Sequence, residues 1–134
     1  MEGRKRQPKP KVRPSDLEAS RRLAKAIARV AEERNCRDIV ILEVGERSPV
    51  ADHFVIATGT SEPQIRAVAR EIEAMAGEHG FKLYGQAGMQ QGQWAVLDFV
   101  DVVVHIFDGE YRRFYDLELL WGDMPKVDWH EKSE

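Results

Sequence analysis

Asp98-Phe99-Val100-Asp101-Val102-Val103-Val104-His105-Ile106-Phe107 is the stretch on which the fold turns. Its β-branched and aromatic residues favour extended structure. It holds the end of one strand, read as Gln93–Phe99, and the whole of another, read as Asp101–Phe107. A basic, aromatic run follows, Tyr111-Arg112-Arg113-Phe114-Tyr115. Phe114, Leu117, Leu120 and Trp121 share one stripe there, which predicts a helix from Asp108 or Gly109 to about Trp121. Upstream, Phe81–Gln86 reads as a short strand and Ala87–Gly92 as a Gly/Gln-rich turn. Before these, Ser61-Glu62-Pro63-Gln64 is a capping box with proline tolerated in the first turn. Its helix buries Ile65, Val68, Ala69, Ile72, Met75 and Ala76 and ends at Gly80. His53–Ala57 reads as a strand closed by Gly59. Asp38–Val44 is another, and its unbroken Ile39-Val40-Ile41-Leu42 run predicts burial on both faces. Ser15-Asp16-Leu17-Glu18 opens a first helix over about 15–35. The order is α-β-β-α-β-β-β-α, a single α/β domain with a mixed sheet and flanking helices.

A chain of 134 residues is one domain on length alone. No apolar run is long enough to span a membrane, and the N-terminus has no apolar core of a secretory signal. The single cysteine, Cys36, allows no internal disulfide and no cysteine-based zinc site. These features predict a cytoplasmic protein. Charge divides the chain unevenly. Residues 1–14 hold six of the 20 Lys+Arg and one of the 23 acids, leaving fourteen cations against 22 acids in the rest. With Pro8, Pro10 and Pro14, residues 1–14 are expected to be a disordered basic tail. Such a tail either adds weak, salt-dependent RNA attraction or is a solvated extension. The acidic remainder argues against a phosphate-gripping body and suits a basic protein partner. Residues 15–122 are the folded domain, and 123–134 are expected to be a loosely ordered tail that Trp129 can anchor by packing.

Four places invite a functional reading. Thr58-Gly59-Thr60-Ser61 is a strand–Gly–Ser–helix junction of the kind that holds anions and that nucleotidyltransferases use; helix capping explains the same residues. Asp98, Asp101 and His105, with Asp52 and His53 nearby, form an acid/histidine group. Metal catalysis needs converging carboxylates. Side chains three apart on an uninterrupted strand point to opposite faces, which separates Asp98 from Asp101 unless a turn intervenes. Asp101 and His105 share a face but stand about 13 Å apart by strand rise, too far for one metal. A core histidine bonded to a neighbour accounts for His105, and a turn cap or a pair with Arg112 or Arg113 accounts for Asp101. Arg112 and Arg113 are otherwise expected in surface ion pairs. No Ser–His–Asp grouping and no metal or cofactor site stands out. The third place is Gln93–Phe99, where Ala95, Leu97 and Phe99 make a core face and Trp94, Val96 and Asp98 an amphipathic one. Tyr84 and Gln86 are placed beside it on the adjacent strand. A tryptophan with an acid nearby is the composition of a protein-binding hot spot; a covering helix accounts for it equally well. The fourth place is the last helix, whose stripe reads as core packing.

Asp52-His53-Phe54-Val55-Ile56-Ala57-Thr58-Gly59-Thr60-Ser61, Trp94-Ala95-Val96-Leu97-Asp98-Phe99 and Asp101–Phe107, extended by Arg112-Arg113-Phe114-Tyr115-Asp116-Leu117-Glu118 and Leu120-Trp121, resemble the ribosomal silencing factor family, also called the Iojap family. The resemblance covers roughly Ser15 to Asp123; family members often carry Tyr where this chain has His53. It implies a non-enzymatic factor with a nucleotidyltransferase-like fold. Such factors bind the large ribosomal subunit through a basic protein at its intersubunit face, block small-subunit joining and damp translation. It further implies that the sheet face with Trp94, Val96 and Asp98 meets the partner, with Tyr84 and Gln86 added by adjacency. A nucleotide- or metal-dependent transferase using Asp98, Asp101 and the Gly59 turn is the alternative. Paired β edges leave a homodimer open.

Overall fold

The structure is a computed structural model describing residues 17–45, 51–115 and 123–130. Helix α1, Leu17–Glu33, buries Leu23, Ala24, Ile27, Ala28 and Ala31 at three- and four-residue spacing, the stripe of a helix lying on a core. It closes in a Schellman turn: Asn35 N donates to Glu32 O at 3.0 Å and Cys36 N to Ala31 O at 2.9 Å, with Asn35 at φ 73°. Asparagine tolerates this left-handed conformation better than most residues. Strand β1, Arg37–Glu43, and β2, His53–Gly59, follow, then α2, Glu62–Glu78. Ser61 caps α2 by accepting from Gln64 N at 3.1 Å, while the Gln64 amide oxygen accepts from Thr60 N at 2.9 Å. Gly80, at φ 86°, closes α2 in the same way as Asn35 closes α1: its N–H bonds to Gly77 O, and Phe81 N to Ala76 O.

That closure explains a departure from expectation. Phe81 completes the turn and packs on the core, so the short strand β3 begins only at Gly85 and ends at Ala87. Strands β4, Trp94–Asp98, and β5, Val102–Asp108, lead into α3, Gly109–Tyr115. Leu117, Leu120 and Trp121, expected on the continuation of that helix, lie outside the described residues, as does the basic segment 1–14. The expected α-β-β-α-β-β-β-α order is present, and a two-residue strand β6, Lys126–Val127, follows it. Within 123–134, expected to be a loosely ordered tail, β6 pairs antiparallel with β1. There Trp129 is 6% exposed in the core, and its indole N–H donates to Ile39 O at 3.4 Å.

The six strands run in the order β3-β4-β5-β2-β1-β6. The parallel pair β2–β5 sits at the centre, and the other pairings are antiparallel. The Asp98–Phe107 stretch thus contributes a central strand and the hairpin leading into it. Residues opposite one another in a ladder point to the same side of the sheet. Registers therefore collect Ala95, Leu97, Ile106, Val104, Ala57, Val55 and Ile41 on one side, where they form the main core with α1 and α2. The other side receives Trp94, Val96, Phe107, His105, Val103, Ile56, Phe54, Val40 and Leu42.

Arg112 is not at the surface, where it was expected. It is 7% exposed, and its guanidinium donates to Asp38 O at 2.9 Å and Thr58 Oγ1 at 2.8 Å. Asp38 sits at φ 49° where the β1–β2 register shifts. A bulge frees a carbonyl from its ladder, and Arg112 satisfies it from α3.

Candidate functional site

The sheet side away from α1 and α2 carries a continuous row of rings. Trp94 on β4 is paired with Phe107 on β5, and Val96 with His105; His105 is in turn paired with Ile56 on β2. Ring centroids lie 5.3 Å apart for Phe54–His105, 6.0 Å for His105–Phe107 and 6.2 Å for Phe107–Tyr111. Trp94 lies against this row, 5.0 Å from Phe107, 5.8 Å from Tyr111 and 6.1 Å from His105. These separations fall in the range of favourable aromatic pairs. Phe107 is fully buried, whereas Trp94 stays 36% exposed at the surface.

One hydrogen bond fixes the indole. Trp94 Nε1 lies 3.2 Å from His105 Nδ1. An indole nitrogen only donates, so Nδ1 accepts and the imidazole is neutral with its proton on Nε2. Burial favours that state: it pushes the His105 pKa down to about 4, against a smaller upward pull from Asp98. Trp94 therefore presents the face of its ring with its polar atom already satisfied, the form suited to an apolar or cationic partner group.

The sequence-predicted residues divide around this row. Trp94 and Val96 belong to it, with Val96 half-buried. Asp98 is on the same side but 7% exposed, and its carboxylate accepts from Val100 N at 2.8 Å. It shapes the β4–β5 turn, where Val100 takes φ 77° and Phe99 N donates to Val102 O. Tyr84 is 37% exposed and its N–H donates to Asp98 O at 2.7 Å. Gln86 is paired with Leu97, so the register sends it to the side opposite Trp94; it borders the patch at the β3 edge and does not continue the row. Phe54, His105, Phe107 and Tyr111 complete the patch although the sequence reading did not assign them to it. The signal was the same alternation that singled out Trp94 and Val96, applied to Val103, His105 and Phe107 one strand on.

Comparison with known proteins decides among the readings. Residues 17–134 match the family model described as ribosomal silencing factor during starvation. The chain belongs to the ribosomal silencing factor (RsfS) family. A Bacillus subtilis ribosomal silencing factor RsfS is 39% identical over 106 residues, covering 79% of this chain and 90% of that protein. The chloroplastic protein Iojap of Zea mays is 32% identical over 90% of this chain, which spans 53% of that longer protein. A crystal structure of a Chromobacterium violaceum protein superposes with a TM-score of 0.73 at 28% identity, covering 85% of this chain and 89% of that one. A Bacillus halodurans structure gives 0.69 at 32% identity, covering 83% and 98%. RsfS proteins are non-enzymatic regulators of the ribosome.

The places read as possible chemistry have structural explanations in this RsfS chain. At the Gly59 junction the amides of Thr60 and Gln64 are taken up by Gln64 and Ser61. A Cβ on Gly59 would stand 2.2 Å from Ile65 Cγ1, so glycine is there to let α2 approach the sheet. Asp98 and Asp101 flank a hairpin turn, and the Asp101 carbonyl accepts from Asp52 N at 2.8 Å and His53 N at 3.1 Å. Among the described residues no three His, Cys, Asp or Glu side chains gather as a metal site, and no helix is long and apolar enough to cross a membrane. Burial raises the Cys36 thiol to about 11, outweighing a hydrogen bond from Gln64, which makes it a poor nucleophile.

One grouping was not visible in the sequence. Ser20 Oγ lies 3.2 Å from His53 Nδ1 and 3.4 Å from Asp52 Oδ2. These three residues are respectively 1%, 0% and 4% exposed. Burial depresses the His53 pKa, and His53 Nε2 has no hydrogen-bond partner among the described residues. No substrate reaches a serine this deep; Ser20 Oγ also donates to Leu17 O at 3.1 Å. The group is a polar clasp between α1 and β2.

Proposed function

We propose that this protein binds a basic protein at the intersubunit face of the large ribosomal subunit, sterically blocks small-subunit joining and so represses translation in the cytoplasm. The observation that carries this reading is the aromatic row on the sheet side away from α1 and α2, with Trp94 at 36% exposure held in place by His105. Large aromatic side chains on a rigid strand contribute disproportionately to binding because little conformational freedom is lost on contact. Trp94 and Val96 supply apolar contact, Tyr84 and Gln86 lie at the β3 margin, and Asp98 holds the turn while its charge favours a cationic partner. Family membership supports the ribosome as the target. Occupancy of a face that the small subunit must reach is sufficient for the effect and requires no catalysis, cofactor or metal.

The test is a joining assay with purified subunits. Protein in molar excess over large subunits is expected to lower the fraction of joined ribosomes and to comigrate with the large subunit alone in a sucrose gradient. Unchanged joining at saturating protein, or comigration with the small subunit, contradicts the proposal.

A further inference from the structure

The second surface of interest lies on the opposite side of the molecule, on α1. Between Arg21 and Arg29 the helix carries four cations, Arg21, Arg22, Lys25 and Arg29, and no acid. Arg22, Lys25 and Arg29 follow at i, i+3 and i+7, one helical face. They line an open groove of about 840 Å³ whose other wall includes His79 and Phe81, and Glu18 is the one acid in the lining. Arg21 is engaged by Glu43 at 3.2 Å. Arg22 and Arg29 are exposed and form no ion pair among the described residues. This concentration runs against the rest of the chain, which beyond residue 14 holds fourteen cations against 22 acids. Helix α2, on the same side of the sheet, carries four acids and two arginines. The expectation that an acidic body would not grip a phosphate backbone assumed an even distribution, and the charges are segregated.

We propose that the α1 groove is a binding site for the phosphate backbone of structured RNA. Three features select this occupant. Arg22 to Arg29 spans about 10 Å of helix axis, the length of two or three successive phosphates along a strand. The apolar stripe of α1, Leu23, Ala24, Ile27, Ala28 and Ala31, is at most 3% exposed, and of its large apolar residues only Leu17, at the start of the helix, is more than a third exposed. The helix therefore has no continuous free apolar face to insert into a lipid surface or a hydrophobic groove, as membrane-active and partner helices require. Residues 1–14 bring six further Lys/Arg to the same end of the chain, separated from the α1 cations by Asp16 and Glu18. The groove is on the helix-covered side, away from Trp94, so it can hold RNA while the aromatic row holds protein, and it does not depend on the partner proposed for that row.

The test uses the full chain and a fluorescein-labelled 20-base-pair RNA duplex, followed by anisotropy between 50 and 200 mM KCl. Wild type is expected to bind at 50 mM salt and to weaken steeply as salt rises. The double variant Arg22→Glu/Arg29→Glu should bind at least about tenfold more weakly, and the log–log salt slope should fall by roughly 1.5 for two lost phosphate contacts. Arg22→Gln/Arg29→Gln should fall between the two, which separates lost attraction from damage to the fold. Trp94→Glu should leave RNA affinity within twofold of wild type, so failure of the protein-face reading stays distinguishable. No RNA binding by wild type at 50 mM salt overturns the proposal. So does a double glutamate variant within twofold of wild type, which would assign binding to residues 1–14 alone. Loss of binding to anionic phospholipid vesicles in that variant, with RNA binding unchanged, also overturns it.

Discussion

The two sides of the sheet are built from the same strands and differ in almost every other respect. Adjacent residues on β4 make the contrast: Leu97 is 1% exposed against the helices, and Val96 is half-buried on the other side. On the covered side the strands offer Ala, Val, Ile and Leu, shapes that interdigitate with helix stripes at high packing density. On the other side they offer Phe54, His105, Phe107 and Trp94, in contact with one another and bordered by Tyr111, together with Val40, Leu42, Ile56, Val96 and Val103. Beside these rings Leu42, Ile56 and Val103 are buried in a smaller core that Tyr111 and Met124 pack against, while Trp94 at its margin keeps part of its ring for a partner. The side packed by α1 and α2 holds the larger core, and the opposite side combines a smaller core with the exposed recognition surface.

That division can be broken by measurement. The largest effect is expected from Leu97→Ala, which leaves a cavity under the helices and should lower unfolding free energy by about 3 kcal/mol in urea; a loss below about 1 kcal/mol would remove the contrast. Titration comes next. The folded His105 is depressed to about 4 from an ordinary 6.5, so the unfolded chain binds the proton first as pH falls. Stability is fully present above about pH 6.5 and is lost toward pH 4, by roughly 2–3 kcal/mol from this group; burial of His53 acts in the same direction. His105→Phe should remove the His105 share of that slope in urea melts repeated across the range. Gly59→Ala follows: its Cβ would collide with Ile65, and a loss of about 1–3 kcal/mol is expected with ribosome binding unaffected at temperatures where the variant is folded. The smallest effect belongs to Val96→Ala, at about 1 kcal/mol or less for a half-buried side chain, although it should weaken subunit binding measurably by gradient sedimentation.

How far the sequence reached depended on whether the signal was local. The capping box at Ser61, the closure at Gly80 and the β-branched run Val102–Phe107 are local, and α2 and β5 lie where they indicate. The face of Trp94 and Val96 followed from period-two alternation. What was illegible depended on pairing between distant segments. Gln86 was placed beside Trp94 by proximity, but its side is set by its partner Leu97. Arg112 looked like a surface cation, yet it satisfies the Asp38 carbonyl 74 positions away in sequence. Ser20, Asp52 and His53 meet only because α1 crosses β2. Strand β6 is two residues long, too short for any periodicity to mark, and Trp129 alone hinted at it.

The division between the two sides is tested most directly by one substitution, Trp94→Glu, read by co-sedimentation with purified large subunits alongside a thermal melt. A charge at this ring position should abolish co-sedimentation in a protein that still melts cooperatively, at a lower temperature because packing on Phe107 and Tyr111 is lost. Undiminished co-sedimentation by a folded Trp94→Glu protein would contradict the assignment of the aromatic row as the surface that binds.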